Sequence, residues 1–201
     1  IMPSLVGSEM CIRDRAKAIY EKEYFVSQAE IQLDFYNFVI AREEKDEAQQ
    51  IRVLQKILII SNQNQGINPF YKNEAQDILA NLFINKEQFD DALGIFNFED
   101  KLSPKEKYLL AKIYQRWNKA NRAIDYAQQA YNDAIWSDER IISLDSALLL
   151  LEISVSNRDD NAIHQDVYVK YIREHSLPFW LSMNNKRLIE TQHPELLSLV
   201  K

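Results

Sequence analysis

Leu109 to Ala130 reads LLAKIYQRWNKANRAIDYAQQA, and Ile78 to Phe96, just upstream, reads ILANLFINKEQFDDALGIF. Each stretch opens on a Leu-Ala pair, Leu110-Ala111 in one and Leu79-Ala80 in the other. An aromatic follows three residues after that Ala (Tyr114, Phe83), and a small Ala comes nine residues beyond the aromatic (Ala123, Ala92). Apolar residues at intervals of three and four are the signature of helices with one buried face. A small residue at a fixed distance past the aromatic lets two helix backbones approach closely, while Leu and the aromatic fill the groove between them. The pattern predicts helices, each with one buried face.

These residues resemble the tetratricopeptide repeat. Leu79, Ala80, Phe83, Phe89, Ala92, Phe96 and Pro104 fall on that family's spacing, as do Leu110, Ala111, Tyr114, Ala123 and Ala130 in the next unit. Two weaker units flank them: Phe35-Tyr36 with Val39 and Ala48, and Leu149-Leu150 with Ile153 and Ala162-Ile163. Anchored on Phe35, Leu79, Leu110 and Leu149, the units lie 44, 31 and 39 residues apart, so the repeats are irregular. The usual Trp near the start of the repeat and the Gly after the Leu are missing. The resemblance spans about residues 30–172 and is strongest over 73–134. It implies an all-α fold in which antiparallel helix pairs stack as a short right-handed α-solenoid.

Working outward, Ile19, Phe25, Ala29, Leu33, Tyr36 and Ile40 predict a helix over about Ala16 to Ala41. Arg42 to Glu47 reads as a turn and helix start, and Ile51, Leu54, Leu58 and Ile59 as a second helix. Ser61 to Pro69, SNQNQGINP, is the clearest loop and the candidate boundary between two subregions. Ser103-Pro104-Lys105-Glu106 is a capping box with Pro at the first helical position. Ser137 precedes Asp138 and Glu139, which places acids in a first helical turn, where the helix dipole favours them. The organisation expected is N-terminal helices over 16–63, a loop over 64–72, repeats over 73–176 and capping helices over 177–201. The apolar Leu177-Pro178-Phe179-Trp180-Leu181 would fold back over the exposed end of the last pair.

Ile1 to Arg15, IMPSLVGSEMCIRDR, does not match the rest of the chain. It holds the sole Cys, two of the three Met and one of the three Gly. Ser8 and Glu9 interrupt its apolar run, so it fails as a signal peptide. Back-translated, Leu5 to Asp14 resembles the transposase adapter used in shotgun sequencing libraries, and the expectation is that 1–15 is translated adapter fused to a fragment. Cys11 then supports no redox or metal hypothesis.

Composition narrows the functions further. In 201 residues, 24 Lys and Arg face 30 Asp and Glu, a net charge of −6 that argues against nucleic acid as partner. Without the first fifteen residues the balance is 22 against 28, and the charge is unchanged. No apolar run approaches the roughly 18–20 residues that span a membrane. His164, His175 and His193 fall in no metal-binding motif, and no nucleophile or phosphate-loop motif occurs. His175 and His193 flank loops and read as solvated. Asp159-Asp160 reads as a helix cap ahead of Ala162 rather than as an acid/base pair. The expectation is a chain without catalytic residues, metal or cofactor.

The family resemblance implies a concave face lined by the first helix of each pair. By position it presents Glu74, Asp77, Asn81, Ile84 and Asn85, then Lys105, Tyr108, Lys112, Gln115 and Arg116. The second group is a basic stripe with an aromatic on one helix face, fitted to an acidic or C-terminal peptide. The binding set expected is Asn81, Asn85, Lys105, Tyr108, Lys112, Gln115 and Arg116. A solvated face is the competing reading of the same residues. Asp77 and Tyr108 depart from the carboxylate clamp of some chaperone-docking repeats. The function expected is a non-enzymatic protein- or peptide-binding scaffold. The alternative is the sensor half of a regulator whose DNA-binding or catalytic domain lies upstream.

Overall fold

The computed structural model describes residues 5–64, 67–96, 98, 101–157 and 162–175 of the chain. Among them the regular structure is all helical: α1 (Leu5–Glu43), α2 (Glu47–Gln63), α3 (Pro69–Asn85), α4 (Phe89–Leu93), α5 (Pro104–Arg116), α6 (Ala120–Trp136), α7 (Arg140–Asn157) and α8 (Ala162–His175). The chain divides into two compact units, residues 1–79 and 80–201, with the division inside α3.

In the first unit α1 packs on α2. Ile31, Phe38 and Ala41 of α1 are buried, as are Val53, Leu54, Ile57 and Leu58 of α2. The ring of Phe35 meets Phe38 at 5.8 Å and Tyr71, on α3, edge-on at 5.6 Å. Lys56 on α2 bridges Glu30 and Asp34 on α1 at 2.8 and 2.9 Å. Hydrogen bonds to Glu30 and then Asp34 raise the Lys56 pKa above its ordinary value.

In the second unit α5 packs on α6, α6 on α7 and α7 on α8, and α5 also touches α7. The core is built from Tyr108, Ala111 and Tyr114, from Ala123, Ala127, Ala130 and Tyr131, and from Leu144, Ala147 to Leu151 and Ile153, closed by Tyr168, Val169 and Ile172. On the inner face of α6, four alanines (Ala123, Ala127, Ala130 and Ala134) are fully buried. Their three- and four-residue spacing is what allows α5 and α7 both to approach α6 closely.

One turn recurs at four joints. It is made by Glu44-Lys45-Asp46, Lys86-Glu87-Gln88, Trp117-Asn118-Lys119 and Ser137-Asp138-Glu139. The middle residue is left-handed each time, with φ of 60°, 58°, 57° and 58°. The third residue's N–H donates at 2.9 Å to the carbonyl five residues back, that of Ala41, Phe83, Tyr114 or Ala134. This is the Schellman pattern, which satisfies a carbonyl orphaned at a helix end. The third residue's own carbonyl then accepts the N–H of Gln50, Ala92, Ala123 or Ser143, starting the next helix. Those four residues are all buried. The nine-residue step from aromatic to Ala is therefore the length of this turn, measured from the last inward residue of one helix to the first of the next.

Several expectations change. The first weak unit is shifted by two residues: Ala41 and Gln50, not Val39 and Ala48, take the two framed positions. Ala48 is exposed, whereas Gln50 is buried and its Nε2 donates to the Ala41 carbonyl at 3.3 Å. The last weak unit runs into residues outside those described. The turn also occurs between α6 and α7, where no unit boundary of this kind was expected. Asp138 and Glu139 accordingly lie in the turn, ahead of α7, and not in its first helical turn.

The loop is shorter than 64–72, because α2 runs to Gln63 and α3 starts at Pro69. Pro suits a first helical position, and the Asn68 side chain accepts the Phe70 N–H at 2.9 Å. The helix through Phe89 and Ala92 stops at Leu93, where Gly94 caps it with a bond from its N–H to the Asp90 carbonyl. The backbone of α1 begins at Leu5 rather than near Ala16. The expected capping segment over 177–201, with His193, lies outside the described residues.

The capping box is present as expected. Ser103 Oγ accepts the Glu106 N–H at 3.3 Å, and Glu106 Oε2 accepts the Ser103 N–H at 2.8 Å. No helix among the described residues is long and apolar enough to cross a membrane.

Candidate functional site

In the second unit the end of α3 meets α5 in a polar contact. Lys112 Nζ donates to Asn81 Oδ1 at 3.1 Å. The same ammonium sits 5.7 Å from the centre of the Tyr108 ring, one helical turn earlier. Lys105, Lys112 and Gln115 are half-buried, and Arg116 and Asn85 are exposed. Lys105, Lys112 and Arg116 follow intervals of seven and four, so their charges lie along one side of α5.

Lys107 stands apart from that stripe. Its ammonium pairs with Asp133 on α6, tying α5 to the next helix. The stripe therefore draws on three of the four cations of α5, with the fourth committed to packing.

Tyr108 does not line an open face. It is 7% exposed and belongs to the core, so its ring is a wall beneath Lys112. Ile84 is likewise buried. Glu74 and Asp77 belong to the first compact unit and are half-buried.

Sequence reasoning missed an aromatic column on another side of α5 and α6. Phe89 stacks on Trp117 at 5.4 Å, Trp117 lies parallel to Tyr114 at 6.3 Å, and Tyr114 stacks on Tyr126 at 5.5 Å. Lys119 Nζ lies 3.1 Å from the centre of the Trp117 ring, and Arg122 Cζ lies 5.5 Å from that of Tyr114. Burial, followed by the neighbouring Tyr114, raises the Tyr126 pKa. The signal was available: Tyr114, Trp117 and Tyr126 follow one another at steps of three and nine residues across one fixed turn, and the turn's geometry brings their rings together.

A second cluster joins α6 to α8. Tyr131 meets the edges of Tyr168 and Tyr171, each at 5.2 Å. Burial pushes the Tyr131 hydroxyl up to about 12, with Tyr171 and Tyr168 adding to the effect. The Tyr171 hydroxyl shares a hydrogen bond with Ser143 Oγ at 2.8 Å. His175, expected to be solvated, is half-buried and stacks on Tyr171 at 4.3 Å. Its Nδ1 lies 3.0 Å from the Tyr171 carbonyl, the contact that one turn of helix brings within reach.

Among the described residues no three His, Cys, Asp or Glu side chains gather where they could hold a metal ion. Comparison with family models, with curated proteins and with solved structures finds no match to this chain.

Proposed function

We propose that this chain is a tetratricopeptide-like helical-repeat scaffold, non-enzymatic, that binds a protein or peptide along the α3–α5 face. The observation that carries the reading is the recurrent turn. Four times the same three-residue turn joins helices and places a buried residue at the same step. Repetition of one joint is what a stacked array of helix pairs requires. The contact of α5 with α7, two helices on, fits the stacking of first helices in a short right-handed solenoid.

In such an array Asn81, Asn85, Lys105, Lys112, Gln115 and Arg116 form the binding face. Lys112 is held in place by Asn81 and the Tyr108 ring, so little side-chain freedom is lost when it meets a carboxylate. The ligand it fits is an acidic or C-terminal peptide segment, bound by charge-assisted hydrogen bonds.

A fluorescent acidic peptide titrated by anisotropy tests this. Lys112→Glu with Arg116→Glu should weaken binding by at least about tenfold, and salt should weaken the unsubstituted chain progressively. Unchanged binding in the double variant would refute this face.

A further inference from the structure

Helix α1 carries two apolar faces, and α2 covers one of them. The buried face holds Ile31, Phe38 and Ala41. On the other, Val26, Leu33, Tyr36 and Ile40 are each more than half exposed, and Ala29 is exposed as well. Residues 26, 29, 33, 36 and 40 alternate steps of three and four, the two-position heptad seam that packs against another helix. Isolated exposed apolar residues need no explanation, but five along one seam of one helix do.

We infer that this seam of α1 pairs with the same seam of a second copy of the chain, antiparallel, to form a dimer. Area supports a second copy. The five side chains leave on the order of 500 Å² exposed, so a symmetric pair would remove about 1,000 Å², the threshold of a specific interface. Charge supports the orientation. Lys22 is exposed at one end of the seam, and Glu43 and Glu44 are exposed at the other. An antiparallel pair centred near Leu33 sets Lys22 of each copy beside Glu43 and Glu44 of its partner, at both ends. A parallel pair would set Lys22 against Lys22 and glutamates against glutamates.

Sedimentation equilibrium of the 201-residue chain tests the inference. The expected mass is twice 23.7 kDa at about 100 μM chain, falling to 23.7 kDa for Leu33→Glu with Ile40→Glu at unchanged helical circular dichroism. Ile59→Glu, on the exposed side of α2, should leave the dimer intact. Lys22→Glu should weaken it several-fold, and adding Glu44→Lys should restore it. A monomer in the unsubstituted chain, which would leave the seam to a different helix, overturns the proposal. So does a dimer indifferent to Leu33→Glu with Ile40→Glu, and failure of the charge swap overturns the antiparallel orientation. None of these results depends on peptide binding at α5.

Discussion

The rings of Phe89 and Trp117 stack at 5.4 Å with an interplanar angle of 15°, which ties the start of α4 to the end of α5. Phe89 was visible as a repeat position; Trp117 was not. Trp117 is half-buried yet touches Phe89, Tyr114 and the Lys119 ammonium, so it is the joint of the aromatic column. Trp117→Ala should cost about 2–3 kcal/mol, less than a fully buried aromatic. A double-mutant cycle with Phe89→Leu, read by urea unfolding, should show a coupling of about 0.5–1.5 kcal/mol. Strict additivity would mean that the two rings contribute independently.

Ala123 is fully buried and opens α6 against α5. Its methyl is enclosed where α6 packs on α5, and a larger side chain there must push the helices apart. Ala123→Leu should destabilise by roughly 1–3 kcal/mol. Gln129→Leu, on the exposed side of α6, serves as the control and should stay within about 0.5 kcal/mol of the parent.

Glu87 holds φ 58° in the turn before α4, a conformation that costs an L side chain energy and glycine almost none. Glu87→Gly should raise stability by about 0.5–1 kcal/mol, the relief of left-handed strain exceeding the entropy that glycine loses on folding. Asn118→Gly should gain less, because Asn tolerates this region better. Thermal melts of the two variants side by side provide the comparison.

The Tyr131 hydroxyl, pushed up to about 12 by burial, retains its proton in the folded chain after it would have lost it in the unfolded one. A pKa raised by folding contributes stability that is complete below the unfolded value near 10 and is lost as pH rises toward 12. Unfolding midpoints should therefore fall steeply between about pH 10 and pH 12. Tyr131→Phe should flatten that fall and remove a late-ionising phenolate from the ultraviolet titration.

The helical class, the capping box at Ser103 and the frame of Leu79–Ala92 and Leu110–Ala123 were all legible in the sequence. They rest on short-range rules: apolar period, cap chemistry and the fixed span of one turn. A helix start near Ser137 was legible, but the recurrence of the same turn between α6 and α7 was not. Ala134 and Ser143 fill the framed positions with small residues on both sides, leaving no aromatic to mark the site. The first unit was misplaced for a related reason. Val39 and Ala48 match the residue types better than Ala41 and Gln50, but burial follows the turn, and Gln50 is accommodated by its bond to the Ala41 carbonyl. At the candidate site, the alignment of Lys105, Lys112 and Arg116 followed from helix geometry. The burial of Tyr108 did not, since it depends on how α6 and α7 close over α5, a long-range matter.

Between α6 and α7 the turn is as short, and as fully bonded, as the one between α5 and α6. No slack connection in this stretch separates one helix pair from the next. Opening should therefore advance helix by helix from an end, each hairpin exposing the next, and not in jumps of two. In native-state hydrogen exchange, amides of α5 to α8 would then show a graded series of opening energies, with α6 and α7, each flanked on both sides, at the top.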